Sequence, residues 1–354
     1  MTRPFLNGAD LLGPLELSGS AGTSGQVLQS AGPGQAPTWA SAPAAGAGGS
    51  TGQVQYNNAG ALAGATDVAI HDGDLALADN TTTTTPASGL KVISQPIGGR
   101  SLLAFKNSAN AVTALQSTLS QNRTCAWYGV SGSNAPALLG SVALTATGTA
   151  TSAAIAVTNR YTRTQRVEYL VASATNNAIA GFRYANLGWT IGGGDAEAGG
   201  FFFVCRWGPA TGVSIPTTRT FVGMANTTAA PTDVEPSTIT NIVGMGWDAA
   251  DANVQFMHRG TAAITKINLG ASFPVPTTDR TKIYELVMFS KPGTTQSVSY
   301  AVTDLTNGAT ASGTVTTNMP TTTTLLAPRG WISNGGDNSV IGIGMASLYL
   351  ETDY

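Results

Sequence analysis

The stretch SVSYAVTDL at residues 297–305 decides the fold, because its side chains alternate between apolar and polar. Val298, Tyr300 and Val302 fall on one face of an extended chain, whereas serine and threonine occupy the other. An Asn-Gly dipeptide follows at 307–308, and this dipeptide favours the tight turn of a β-hairpin. The pattern therefore predicts a half-buried strand that turns back onto a neighbouring strand.

Continuous apolar runs elsewhere in this half of the chain predict strands that are covered on both faces. They are KIYELVMFS at 282–290 and FFFVCRW at 201–207. Further strands are predicted in INLGASF, NIVGMGW and IGIGMASLYLETDY, which Gly, Pro, Asn and Thr separate from one another. Residues 151–354 are therefore predicted to form one mainly β domain, an antiparallel sandwich or jelly roll.

The composition excludes several classes of protein. Only 10% of the 354 residues are charged and the formal net charge is −2, so the basic surface of a nucleic-acid-binding protein is not expected. The sequence contains no run of about 18 apolar residues, so a membrane-spanning helix is not expected. Cys125 and Cys205 are too few for a disulfide framework, so we expect reduced thiols in a chain folded in a cytoplasm. We expect no cofactor.

The low charge also bears on assembly. A surface rich in Gly, Ala, Ser and Thr with few charges does not repel copies of itself. Packing identical chains around a symmetry axis buries such nearly neutral faces. We therefore expect an obligate homo-oligomer, whose number of subunits the composition does not define.

Residues 1–64 are predicted to be an extended, low-complexity arm, because Gly, Ala, Ser and Pro dominate them. The segment 22–28 (GTSGQVL) is echoed at 50–56 (STGQVQY), and each copy is a Gly-rich turn that leads into a short strand. Isolated apolar residues on this arm are candidates for docking on a partner surface, and a flexible leader is the alternative. These residues are Phe5, Leu11, Leu12, Leu15, Leu17 and Trp39.

Residues 65–150 are predicted to be a connecting region. DVAIHDGDLALAD at 67–79 predicts two short strands joined by an Asp-Gly turn at 72–73. A short helix is predicted over 108–121, where apolar residues follow the i, i+3, i+4 spacing. Its narrow apolar stripe fits packing against its own copies, or equally against a neighbouring domain.

No catalytic motif occurs in the sequence, so we expect no enzymatic activity and name no catalytic residue. Aromatic residues beside Gly- or Asn-containing loops are candidates for contact with a glycan, and core packing is the alternative reading. The candidates are Trp189, Trp247, Trp331, Tyr184 and Arg329. A metal site is not expected; Asp248, Asp251 and Asn253 are weak candidate ligands, for which an ordinary polar turn is the alternative.

Several segments resemble structural proteins of tailed bacteriophages. GTSGQVLQSAGPGQAPTWAS (22–41) and STGQVQYNNAGALAGA (50–65) are similar to leaders of tail-fibre proteins. The distal part resembles fibre and virion-surface proteins in FFFVCRWG (201–208), RTFVGM (219–224), NIVGMGWD (241–248), TKINLGASFP (265–274), YELVMFS (284–290) and PRGWISNG (328–335). The resemblance implies a homotrimer, an N-terminal segment docked on the virion and a concanavalin-like, lectin-like sandwich facing outward.

These expectations combine into a functional hypothesis. The chain is predicted to be a tail fibre or receptor-binding protein that docks by its N-terminal arm on a tail or baseplate protein. Its sandwich would adsorb to carbohydrate on the host cell surface, and weak single sites would act together through multivalency. A head fibre or decoration protein docked on a capsid protein is the alternative, and a polysaccharide depolymerase is a third reading. In each case the protein would be assembled in the host bacterial cytoplasm and reside on the virion.

Overall fold

The computed structural model describes residues 16–17, 19–41, 50–59, 61–79, 84–108, 112–114, 124–129, 143–171, 173–193, 199–210, 217–278 and 280–352. The chain divides into two compact units, Met1–Ala78 and Asp79–Tyr354. Helices are few and short in the described ranges, and none has the length and apolar character needed to cross a membrane.

The first unit consists of small antiparallel sheets. Its strands are β1 (Gln26–Gln29), β2 (Thr38–Ser41), β3 (Gln53–Asn58), β4 (Ala61–His71) and β5 (Asp74–Leu77). Strands β1 and β2 form one hairpin, and β3, β4 and β5 form a three-stranded sheet. Asp72 and Gly73 join β4 to β5 with positive φ angles of 49° and 90°, which confirms the predicted turn.

The second unit contains all the remaining strands. They are β6 (Leu90–Ile97), β7 (Arg100–Asn107), β8 (Val112–Ala114), β9 (Thr124–Tyr128), β10 (Leu144–Thr147), β11 (Thr149–Ser152), β12 (Val167–Leu170), β13 (Ile179–Tyr184), β14 (Phe201–Pro209), β15 (Arg219–Ala225), β16 (Ile242–Trp247), β17 (Gln255–Arg259), β18 (Thr265–Asn268), β19 (Tyr284–Ser290), β20 (Val298–Asp304), β21 (Ala309–Val315), β22 (Ala327–Ser333) and β23 (Gly342–Glu351). A four-residue helix α1 (Arg160–Arg163) and a 3-10 turn (Pro236–Thr238) interrupt them.

In its described residues, this unit consists of two large antiparallel sheets and a three-stranded sheet of β6, β7 and β8. The seven-stranded sheet has the order β10-β13-β22-β15-β16-β17-β18, and the eight-stranded sheet has the order β11-β12-β23-β14-β19-β20-β21. Strand β9 also pairs with β23. The main apolar cluster draws side chains from both sheets. The structure thus confirms the mainly β, antiparallel sandwich that the sequence predicted.

Aromatic side chains join the inner faces of the two sheets. Trp207 of β14 stacks on Trp247 of β16 with ring centroids 6.2 Å apart. Tyr300 of β20 stacks on Phe256 of β17 at 3.8 Å. The alternation of SVSYAVTDL is confirmed here, since Val298, Tyr300 and Val302 belong to the core cluster.

The hairpin of β6 and β7 covers part of the outer face of the eight-stranded sheet. Leu102 packs there in a small cluster with Phe202 and Tyr349. The guanidinium of Arg100 lies 4.8 Å from the centroid of the Phe202 ring and forms an ion pair with Glu351. Residues between the arm and the sandwich thereby add a third layer to this side of the domain.

The helix predicted over 108–121 is wrong at Val112–Ala114, which form strand β8 and pair with β7. Val112 and Thr113 are β-branched, and such residues favour extended chain when a partner strand is at hand. The remainder of the prediction, 109–111 and 115–121, lies outside the described residues.

Strands cross both domain boundaries drawn from the sequence. Strand β4 runs through 64/65 and β11 runs through 150/151. Strands β9 and β10, from the region predicted as a connector, pair with β23 and β13 of the two sheets.

Replacement of Trp207 tests the contact between the sheets. Trp207 is fully buried against Trp247 and Tyr284, so Trp207→Ala should lower the free energy of unfolding by about 3–5 kcal/mol. Urea unfolding followed by circular dichroism measures this change. Val157→Ala is the control, because Val157 is 80% exposed and should change stability by less than about 0.5 kcal/mol. Equal effects of the two variants would contradict the assigned core.

Candidate functional site

The outer face of the seven-stranded sheet carries the candidate site. Phe182 of β13 and Val222 of β15 both point into the core, and both lie opposite Gly330 of β22. Because side chains alternate along a strand, Arg183 and Arg329 point to the outer face. These two arginines lie directly opposite each other in the pairing of β13 with β22.

Arg329 is a buried cation that no acidic side chain among the described residues neutralises. The residue is only 5% exposed, and its Nε atom is buried without a hydrogen-bond acceptor. Within the part of the chain that the structure describes, Arg329 makes no ion pair. Burial, followed by the positive charge of Arg183, lowers the pKa of Arg329 to about 10. Burial disfavours the charged form of the guanidinium, and the nearby positive charge of Arg183 disfavours it further.

Arg183 is half-buried and is held by neutral acceptors. Its Nε donates to the carbonyl oxygen of Thr228 at 3.0 Å, and its Nη1 donates to Oγ1 of Thr147 at 3.1 Å. These bonds orient the guanidinium but do not neutralise it. The pair therefore concentrates two positive charges at one place on the sheet.

Three other arginines of the sandwich, of which Arg166 is buried, meet carboxylates. Nε of Arg166 donates to Oε1 of Glu168 at 3.0 Å, and Nη2 of Arg280 donates to Oε2 of the same glutamate at 3.0 Å. Nη1 of Arg219 lies 3.4 Å from Oε1 of Glu235. This is the ordinary way in which a protein compensates a buried cation. The Arg183–Arg329 pair departs from it.

The three tryptophan candidates for glycan contact are buried. Trp189 and Trp247 belong to the main core, and Trp331 packs with Phe221 and Met257 in a cluster on the outer face of the seven-stranded sheet. These positions correspond to the core packing that the sequence left open as the alternative. No face of these indoles is open for stacking on a sugar.

Tyr184 and Arg329 complete that set of candidates. The half-buried ring of Tyr184 lies 6.0 Å from the ring of Trp189, at the end of β13. Tyr184 directly follows Arg183, a residue that no local sequence pattern marks as a candidate. The structure thus brings Arg329 together with a residue that only the strand register reveals.

The candidate metal ligands Asp248 and Asp251 face a lysine. Nζ of Lys266 donates to Oδ2 of Asp248 at 3.0 Å and to Oδ1 of Asp251 at 2.5 Å. Burial by itself lowers the pKa of Lys266. The hydrogen bonds and charges of the two aspartates raise this pKa by more than burial lowers it, so the net shift is upward. The ammonium group thus occupies the position between the carboxylates that a cation would need.

Asn253, the third candidate ligand, forms an isolated backbone bridge with Pro274. The backbone N–H of Asp248 donates to Oδ2 of Asp251 at 2.8 Å, as in an ordinary polar turn. Among the residues that the structure describes, no group of three or more His, Cys, Asp or Glu side chains is placed to hold a metal ion.

Two of the six docking candidates, Leu17 and Trp39, lie among the residues that the structure describes. Phe5, Leu11, Leu12 and Leu15 lie outside the described residues. Leu17 is half-buried and forms a bridge with Ser20.

Trp39 is held within its own hairpin. Its Nε1 donates to the carbonyl oxygen of Ser20 at 3.0 Å. The indole also lies against Gly22, where a Cβ atom would approach the ring to 2.8 Å. Gly22 is therefore required for this contact, and the half-buried Trp39 anchors the first hairpin to the turn that precedes it.

Both thiols are free and buried, in agreement with the sequence prediction. Burial raises the pKa of Cys125 to about 12 and that of Cys205 further still. Neither is therefore a nucleophile near neutral pH.

Comparison with known proteins gives partial structural similarity. Peanut lectin superimposes with a TM-score of 0.43 and 11% identity over 66% of this chain and 98% of the lectin. A protein of unknown function from Shewanella oneidensis MR-1 superimposes with a TM-score of 0.44 and 14% identity. The match covers 67% of this chain and 90% of that protein. A carbohydrate esterase from the Shiga toxin-encoding bacteriophage phi24B superimposes with a TM-score of 0.35 and 12% identity. The match covers 60% of this chain and 90% of the esterase.

No family model matches the sequence, and no curated protein matches it. The architecture of this chain accordingly rests on its own strand order and registers.

Replacement of Lys266 tests its role between the two aspartates. Lys266→Met leaves two carboxylates side by side without a cation, so the free energy of unfolding should fall by about 1–3 kcal/mol. Urea unfolding at neutral pH measures the loss. Lys291→Met serves as the control because Lys291 is exposed. A loss no larger than that of the control would show that the cluster does not stabilise the fold.

Proposed function

We propose that this chain is a fibre-type structural protein of a tailed-bacteriophage virion, which docks by its N-terminal segment and binds host-surface glycan through its sandwich. The observation that carries the proposal is the division into a unit of small hairpin sheets with exposed apolar side chains and a larger unit that contains the β-sandwich. The leader resemblance falls on the first unit, where GTSGQVL leads into β1 and STGQVQY leads into β3.

The hairpin unit leaves large apolar side chains uncovered. Leu28, Tyr56, Leu62, Ile70 and Leu75 are between 46% and 62% exposed. A two- or three-stranded sheet is too thin to bury such side chains by itself, and isolated hairpins are marginally stable in water. Copies of the chain and a docking protein on the virion would supply the missing cover. Only 10% of the residues are charged, so little repulsion opposes this association.

We propose a homotrimer, with the number of subunits taken from the fibre resemblance. The virion partner would be a tail or baseplate protein, and a capsid protein is the alternative in which the chain is a head fibre. Density for residues 1–78 in an electron-microscopy map of the particle distinguishes the two sites.

Sedimentation tests the assembly. The full-length protein at micromolar concentration should sediment at three times 35.9 kDa. The double variant Leu62→Lys/Leu75→Lys should shift the species towards monomer, because it places charges on the apolar face. Val157→Lys, an exposed position in the sandwich, should not. A stable monomer of the parent protein would contradict the proposal.

Binding without covalent chemistry fits the acidic groups of the sandwich. Glu168 is paired with Arg166 and Arg280, and Asp304 accepts from Nζ of Lys282 at 2.6 Å. Carboxylates that cleave a polysaccharide must be able to exchange protons with the sugar. Ion-paired carboxylates are poorly suited to that task, which favours a glycan-binding protein over a depolymerase.

Adsorption assays test the glycan-binding role. The full-length oligomer should bind host cells, and removal of surface polysaccharide should abolish this binding. Purified polysaccharide incubated with the protein should keep its length in size-exclusion chromatography. Shortening of the polymer would support the depolymerase instead, and failure to bind host cells would contradict the receptor-binding role.

A further inference from the structure

The Arg183–Arg329 pair defines a binding property of the proposed glycan site. We propose that these two guanidinium groups bind an oxyanion of the ligand, so that the host glycan is acidic and carries carboxylate or phosphate groups. This inference rests on the proposed glycan-binding function and names the chemical class of its ligand.

The first argument is the cost of the unliganded arrangement. Like charges directly opposite each other on neighbouring strands destabilise a sheet, and burial of an unpaired guanidinium adds to that cost. Arg329 carries both penalties because it faces Arg183 and is 5% exposed. An oxyanion between the two groups removes both penalties at once.

The second argument is that the acidic residues described near this face are engaged elsewhere. Asp233 and Glu235 lie near Arg219 at the start of β15. Arg329 lies opposite Gly223 of β15. Gly223 is four residues beyond Arg219 on that strand, so the two backbone positions are about 13 Å apart. Asp233 also accepts a hydrogen bond from Ser333. Neither acid is therefore placed to neutralise Arg329.

The third argument is geometry. Arginine donates two parallel hydrogen bonds from its planar fork, which matches carboxylate and phosphate oxygens. Two bonds of Arg183, to Thr147 and Thr228, fix the orientation of its guanidinium before a ligand arrives. Thr145 of β10, which lies opposite Arg183, is exposed, so solvent reaches the pair from the β10 side. A ligand group would meet Arg183 first and Arg329 behind it.

Binding of defined polysaccharides tests the inference on the full-length protein. The probes are a polyuronate, a phosphorylated mannan and neutral dextran, measured by biolayer interferometry at low and high salt. We expect binding to one or both acidic polymers and none to dextran. Arg329→Gln and Arg183→Gln should each weaken binding about tenfold or more.

Arg206→Gln is the matched control, because Arg206 is an exposed arginine on the other sheet and pairs with Glu285. It should leave the affinity unchanged. The two acidic polymers distinguish a carboxylate ligand from a phosphate ligand. Equal binding of dextran, or unchanged affinity in both Arg329→Gln and Arg183→Gln, would overturn the acidic-glycan inference while glycan binding itself stands.

A thermal-shift measurement separates this inference from the proposed function. Inorganic phosphate and, separately, citrate should raise the melting temperature of the parent and of Arg206→Gln, but not that of Arg329→Gln or Arg183→Gln. Arg183→Gln keeps the readout valid if the buried Arg329→Gln variant does not fold. A parent that shows this anion response but binds no host glycan would contradict the proposed function and retain the anion site. Absence of the anion response would overturn the site.

Discussion

Contact between the inner faces of the two sheets is the constraint on which the sandwich depends. Trp207 and Trp247 stack between the eight-stranded and seven-stranded sheets, and Phe256 and Tyr300 do the same further along. Aromatic side chains bury large apolar areas, so a few such pairs hold two twisted sheets in one relative position. Only 10% of the residues are charged, so the fold relies mainly on this packing and on the backbone hydrogen bonds of the sheets.

The sheets could be predicted because their signal is local. Alternation in SVSYAVTDL and the continuous apolar run in FFFVCRW report which faces are buried, and both became strands of the sandwich. The helix predicted over 108–121 failed at β8 because a three-residue pairing with β7 outweighed a narrow apolar stripe. Tertiary pairing of this kind has no local signature in the sequence, so periodicity alone misassigns it.

The candidate site was predicted only in part, for the same physical reason. A tryptophan beside a glycine-containing loop has the same sequence signature whether its ring faces a sugar or fills the core, and Trp189, Trp247 and Trp331 all proved to be buried. Arg329 was identified as a candidate, but its neighbour was not. Arg183 lies in a different strand, and only the register of β13 against β22 places the two side by side. The chain offers no pattern from which that register could be read.

Unpaired charge is informative here because the other buried charges that the structure describes are paired. Glu168, Asp304 and the aspartates beside Lys266 all have partners within hydrogen-bond distance. Against that background, two arginines that face each other without a carboxylate reduce the stability of the free protein. Stability lost in this way is regained when a ligand supplies the missing negative charge, so the free energy of binding includes the relief of that repulsion. A weak surface contact thereby becomes selective for acidic ligands, and several copies of it on one particle would give firm adsorption.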